Sequence, residues 1–197
     1  EEIAKVCGSS SVVLLVHELG SMPLMLAASE EQKKRWMPEL ATGEKLICFG
    51  LTEPGAGSDV AGLRTRAEKR GDKYIINGTK QFISHADVAD YCCIAAITDA
   101  SAPAHKAGLS VFVVDKDTPG FKIGKREHKM GIKASTTCEI IMEDVKVPAE
   151  NLLGREGDGF HILMKTLDFT RPSVAAQALG LAQGALDYAV AYAKERE

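Results

Sequence analysis

The stretch Thr52-Glu53-Pro54-Gly55-Ala56-Gly57-Ser58-Asp59 packs two glycines, a proline and several hydrogen-bonding side chains together, directly after the apolar residues 46–51. Such a loop exposes backbone N–H groups and lets a planar or anionic group approach the main chain. The competing reading is a plain tight turn capped by Ser58-Asp59, the usual outcome for an arbitrary Gly-Ala-Gly. It is not a dinucleotide-binding fingerprint, because the third glycine of G-x-G-x-x-G would fall on Val60 and no βαβ unit surrounds it. Residues 41–45 do not make a phosphate loop either, lacking the first glycine and the Ser or Thr after Lys45. Phe82-Ile83-Ser84 offers an aromatic ring and a hydroxyl at a strand end, where a buried strand aromatic is the ordinary use. Asp168 and Arg171, at i and i+3, can pair as a structural ion pair, and Arg171-Pro172 equally suits a helix start. The five cysteines, Cys7, Cys48, Cys92, Cys93 and Cys138, have neither C-x-x-C spacing nor a neighbouring histidine pair, so neither a metal site nor a disulfide is expected.

These residues need elements to hold them. Residues 1–40 read as helical, with Ser29 as a cap and Gln32 at the third helical position. Pro38 and Gly43 punctuate the chain, and a boundary falls near residue 44. Short β-like runs follow at 46–51, 63–70, 74–77, 79–84, 91–99, 109–115, 122–126 and 138–147. Asn77-Gly78 between two of them is a strong hairpin signal. Runs this close, without helices between them, predict an antiparallel sandwich or barrel. After Pro148 helical periodicity returns over 157–169 and again over 172–197. The expected fold class is therefore α+β: a helical N-terminal segment (1–43), a central antiparallel β-sandwich or barrel domain (44–150) and the start of a C-terminal helical bundle (151–197).

Composition narrows the function classes. An apolar fraction of 45%, a charged fraction of 26% and a net charge of −3 describe an ordinary soluble protein with no polyanion partner. Lys33-Lys34-Arg35 sits beside Glu30-Glu31 and reads as a solvated helix face, so nucleic-acid binding is rejected. The apolar run 12–16 is too short to span a bilayer, and no signal peptide is read at the start, which looks like the middle of a protein. Cysteines in apolar surroundings point to a reducing compartment, cytoplasm or mitochondrial matrix.

Seven segments together resemble the acyl-CoA dehydrogenase family in order and spacing. They are Thr52–Asp59, Val60-Ala61-Gly62-Leu63, residues 74–80, Phe82-Ile83-Ser84, Met130-Gly131-Ile132-Lys133-Ala134-Ser135, residues 143–148 and residues 168–172. The resemblance, closest to short- and medium-chain members, covers nearly the whole chain. It implies a homo-oligomeric flavoenzyme, a tetramer by expectation, in which FAD and an acyl-CoA thioester meet between domains and electrons leave to electron-transferring flavoprotein. By this resemblance Phe49, Leu51, Thr52, Gly57, Ser58, Phe82, Ile83 and Ser84 bind the cofactor, with Phe82-Ile83-Ser84 standing where Trp-Ile-Thr is common. Ser58, His105, Asp168 and Arg171 are the substrate candidates, although His105 lies in a stretch that reads equally as a solvated loop.

The chemistry implied is removal of a proton alpha to the thioester with hydride transfer from the beta carbon to flavin. It needs a carboxylate base of raised pKa. The earlier of the family's two base positions is occupied here by Thr170, so the base is expected downstream of Glu197 and none is assigned in this chain, which alone is expected to be inactive. An acyl-CoA oxidase or related flavin monooxygenase on the same fold, or a non-catalytic β-sandwich binding module, stand as alternatives.

Overall fold

The computed structural model describes residues 1–196. The chain opens with a short helix α1 (Glu2–Val6), a long helix α2 (Gly8–Ala27) and α3 (Glu30–Thr42). The start of α3 is fixed as its sequence predicts. Ser29 Oγ accepts from the Gln32 N–H at 3.2 Å and Gln32 Oε1 accepts from the Ser29 N–H at 2.8 Å, a reciprocal capping box. Pro38 sits inside α3 rather than ending it; the stop is Gly43, at φ 75° in the left-handed conformation.

The strands β1 (Ile47–Gly50), β2 (Arg66–Arg70), β3 (Lys73–Ser84), β4 (Tyr91–Ile97), β5 (Leu109–Asp115), β6 (Phe121–Arg126), β7 (Thr137–Pro148) and β8 (Leu152–Leu153) form one eight-stranded sheet in the order β6-β7-β3-β2-β4-β5-β8, with β1 also on β4. Five of its pairings are antiparallel, as expected. Two are not: β1 and β2 both run parallel to β4, so the sheet is mixed. Parallel neighbours need long crossovers, and here the chain makes them through β2–β3 and the loops around them. The sheet folds back on itself, since Tyr74 of β3 and Phe112 of β5 meet with ring centroids 4.8 Å apart.

Side chains alternate between the two faces of the sheet. Cys92, Ile94 and Ala96 of β4 join Tyr74, Ile76, Phe112, Ile140 and Met142 in a core enclosed by strands. Cys93 and Ala95 point the other way, toward Leu24 of α2, Trp36 and Leu40 of α3, and Ile162 and Leu163 of α4 (Gly159–Glu195). Both faces of β4 and β5 are thus buried, which is why they read as unbroken apolar runs. Four of the five cysteines are buried and all five are free, consistent with small core hydrophobes; Cys7 is exposed and caps α2.

Two local expectations are corrected. Asn77-Gly78 is not a hairpin: β3 runs straight through it, and the turn between β2 and β3 falls at Gly71, φ 63°. Asn77 instead reaches across to β7, accepting from the Asp144 N–H at 2.8 Å and donating to its carboxylate at 3.0 Å, where β7 carries an extra residue. Gly78 is demanded by space, because a Cβ there would lie 2.4 Å from Thr65 Oγ1. The second correction concerns Pro172, which does not start a helix but lies inside α4, a continuous helix of 37 residues and roughly 55 Å.

By length and composition α2 is apolar enough to cross a membrane. Its Val16, Gly20, Ser21, Met22 and Leu24 are buried, and Gly20 lies so close to β1 that a Cβ would meet Ile47 O at 2.7 Å, which marks it as a core helix packed on the sheet.

Candidate flavin platform

The Thr52–Asp59 loop owes its place to the mixed sheet. Along one edge of β4, β1 pairs through Gly50↔Ile94 and β2 resumes at Arg66↔Ile97, so the chain between them is forced out of the sheet. The loop is then drawn tight by Glu53. Its backbone N–H and carbonyl exchange hydrogen bonds with Ala56 at 2.9 and 3.1 Å. Its carboxylate, almost wholly buried, accepts from the Arg64 N–H at 2.6 Å, the Thr65 N–H at 3.0 Å and Lys80 Nζ at 2.7 Å. Lys80 is fully buried and also donates to Leu51 O at 3.2 Å. Burial acts to raise the Glu53 carboxyl, but the Lys80 charge and the converging N–H donors outweigh it and hold Glu53 below the usual carboxylate range. Burial presses Lys80 toward its neutral form, and Glu53 opposes this.

Sequence reasoning gave this pair no role. A signal was present: on β3, Tyr74, Ile76 and Lys80 share the even, inward register, so a lysine there had to be buried and paired.

The loop and the end of β3 are brought together by one backbone bond, Gln81 N–H to Thr52 O at 2.8 Å. Between Lys80 and Ile83 the pairing with β7 slips by one residue, and Phe82 at that bulge takes φ 60°. An aromatic residue in the left-handed region is strained, and here the result is a ring displayed outward, 58% exposed. Thr52 and Ser84 are half-buried, and Gly57 and Ser58 are exposed. Gly55 and Gly57 have ordinary φ values, and a Cβ on either would meet nothing within 4 Å. The protein's own packing therefore does not require them to be glycine, whereas close approach of a bound group would. The remaining cofactor candidates face inward: Phe49 and Leu51 lie in the helix-side core and Ile83 in the strand-enclosed core, so Ile83 can offer a ligand only its backbone.

Of the substrate candidates, Ser58 lies in this loop, exposed, and the other three stand elsewhere. His105 is exposed on a π-helical turn, Ala104–Gly108, with its ring edge-on to Phe160 of α4 at 6.4 Å. Asp168 and Arg171 form an exposed ion pair at 2.5 Å on α4. Thr170 is buried, its hydroxyl donating to Thr166 O at 2.9 Å. On β7, Glu143 pairs with Lys122 at 2.6 Å and Asp144 accepts from Asn77. Among the described residues no group of His, Cys, Asp and Glu is arranged to hold a metal.

Comparison with known proteins agrees with this architecture. Three acyl-CoA dehydrogenase family models match in succession, the N-terminal domain over residues 1–44, the middle domain over 48–145 and the C-terminal domain over 157–197. A short-chain specific acyl-CoA dehydrogenase of Clostridium acetobutylicum is 48% identical over 198 residues, covering 100% of this chain and 52% of that protein. A subunit of the caffeyl-CoA reductase-Etf complex of Acetobacterium woodii is 49% identical over 198 residues, with the same coverage. The solved butyryl-CoA dehydrogenase of Megasphaera elsdenii superposes with a TM-score of 0.96 at 45% identity, over 100% of this chain and 51% of that one. The chain thus spans about half the length of the relatives it matches. With matching domains in sequence order and a backbone that superposes throughout, the chain belongs to the acyl-CoA dehydrogenase family.

Proposed function

We propose that the protein is an FAD-dependent acyl-CoA dehydrogenase and that this chain supplies its flavin platform. The observation that carries the reading is the outward Phe82 ring at a left-handed bulge, tied by Gln81 to a loop whose Gly55 and Gly57 leave room above the backbone. When bound, the flavin supplies the hydride acceptor for oxidation of the substrate's alpha–beta bond. The chain's residues bind and orient. Phe82 offers an apolar face, and Thr52, Ser58 and Ser84 offer hydroxyl and amide hydrogen bonds at its edge. Asp168 and Arg171 on α4, with His105, present polar groups to the CoA part of the substrate.

None of the described residues is assigned as the proton acceptor. Thr170 is turned to its own helix backbone, and Glu53 is held ionised in a buried pair. The base is a carboxylate in the part of the relatives that this chain does not span, a downstream placement that sets the protein apart from isovaleryl-type and long-chain-type members. A homotetramer in cytoplasm or mitochondrial matrix, passing electrons to electron-transferring flavoprotein, completes the proposal; the partner is supported by the Etf complex in which the A. woodii relative is named.

The full-length protein is expected to purify yellow, to lose its flavin absorbance anaerobically on addition of an acyl-CoA, and to regain it with electron-transferring flavoprotein. A colourless protein that takes up no FAD sinks the proposal, and peroxide formed in air at the turnover rate moves it to the oxidase reading. The 197-residue chain alone is expected to bind FAD more weakly than about 1 μM, because only part of the site is present.

A further inference from the structure

We propose that the buried Glu53–Lys80 pair is a positioning element for the flavin site, setting the distance between the Thr52–Ser58 loop and the Phe82 bulge. This rests on the flavin reading above. The two residues bracket the platform: Glu53 directly follows Thr52, and Lys80 lies two residues before Phe82. Their contacts reach every segment that meets there. Lys80 Nζ holds Leu51 O, on the approach to the loop, and Glu53 holds the Arg64 and Thr65 N–H groups, where the loop returns to β2. The Gln81 N–H to Thr52 O bond lies one residue from each partner.

The burial shows why a charge pair occupies this place. A lysine at 0% side-chain exposure and a glutamate at 5% are costly to desolvate, and apolar residues of similar volume would serve packing as well or better. What an apolar pair lacks is direction. Two backbone N–H groups and one backbone carbonyl converge on the two carboxylate oxygens and the ammonium of the pair, which fixes the loop ends relative to β3 within hydrogen-bond tolerance. Binding sites that depend on a supporting shell lose function when that shell slackens by about 1 Å. Neither residue need touch the flavin; both act through Thr52 and Phe82.

The test uses full-length protein with FAD and three variants: Lys80→Met, the double variant Glu53→Gln/Lys80→Met, and Phe112→Ala as a core control whose side chain makes none of the loop's hydrogen bonds. Thermal midpoint, FAD affinity and visible-region circular dichroism of the flavin are measured, the latter two well below each midpoint. The double variant leaves no unpaired charge, so it remains available should Lys80→Met fail to fold. The expected result is FAD affinity weakened about tenfold or more and altered flavin dichroism in the double variant, with Phe112→Ala lowering the midpoint yet leaving the dichroism unchanged. A double variant with wild-type affinity and dichroism overturns the proposal, as does Phe112→Ala producing the same flavin changes at an equal midpoint. Failure of the wild-type protein to bind FAD is a different result, and it counts against the flavin reading itself.

Discussion

Lys80→Met is expected to cost the folded protein about 3–5 kcal/mol, because it leaves Glu53 as a buried carboxylate facing only two backbone N–H donors. Restoring neutrality returns part of that loss, the amide keeping one acceptor oxygen where the carboxylate has two, so Glu53→Gln/Lys80→Met is expected to be more stable than Lys80→Met alone. Chemical denaturation of the four members of this double-mutant cycle reads the coupling directly. Additive losses would show that the two charges do not interact. The contrast is with the exposed Lys122–Glu143 pair, at 2.6 Å no longer than the buried one, where solvent screening leaves little to lose.

The second large effect lies in the strand-enclosed core. Phe112 is fully buried, tilted at 56° against Tyr74 and paired on its strand with Ile94 on one side and Leu152 on the other. It spans the interior from β5 to β3, so its removal opens a cavity that neither strand can close alone. Phe112→Ala is expected to cost about 3–5 kcal/mol, with Phe112→Leu intermediate. The check is the denaturation midpoint at an unchanged dependence on denaturant; a loss below about 1 kcal/mol would mean that the sheet collapses around the gap.

Much of the fold was legible because local chemistry and tertiary role coincided. Ser29 and Gln32 announce a capping box and make one. The apolar strand runs announce a buried sheet, and β4 and β5 are buried on both faces. The misreadings have a common cause: residue types were assigned the partner nearest in sequence. Asn77-Gly78 serves a bulge on β7 and a close approach to Thr65 in place of a turn. Pro172 is carried inside α4 because neighbouring packing outweighs one missing hydrogen bond. The parallel pairing to β4 depends on long-range register, which strand spacing does not encode.

The site was partly legible. The Thr52–Asp59 loop is marked by its own residues and Phe82-Ile83-Ser84 only by the family resemblance, and the Gln81–Thr52 backbone bond brings the two together. That Phe82 would take a left-handed conformation was not readable, since its φ is set by a one-residue slip against β7, more than fifty residues away in sequence.

Strand β4 has a further consequence, for the order in which the molecule is made. Its parallel neighbour β1 precedes it by over forty residues, and the long β3–β7 ladder joins segments separated by more than fifty. Contacts so distant along the chain are won late, after the entropy of closing large loops has been met, and they slow folding. The helices and the β2–β3 hairpin, built on local contacts, can begin to form early. The gap between β1 and β2, from which the Thr52–Asp59 loop emerges, exists only once both strands are seated on β4. In the kinetics of folding, the platform is therefore among the last parts to appear.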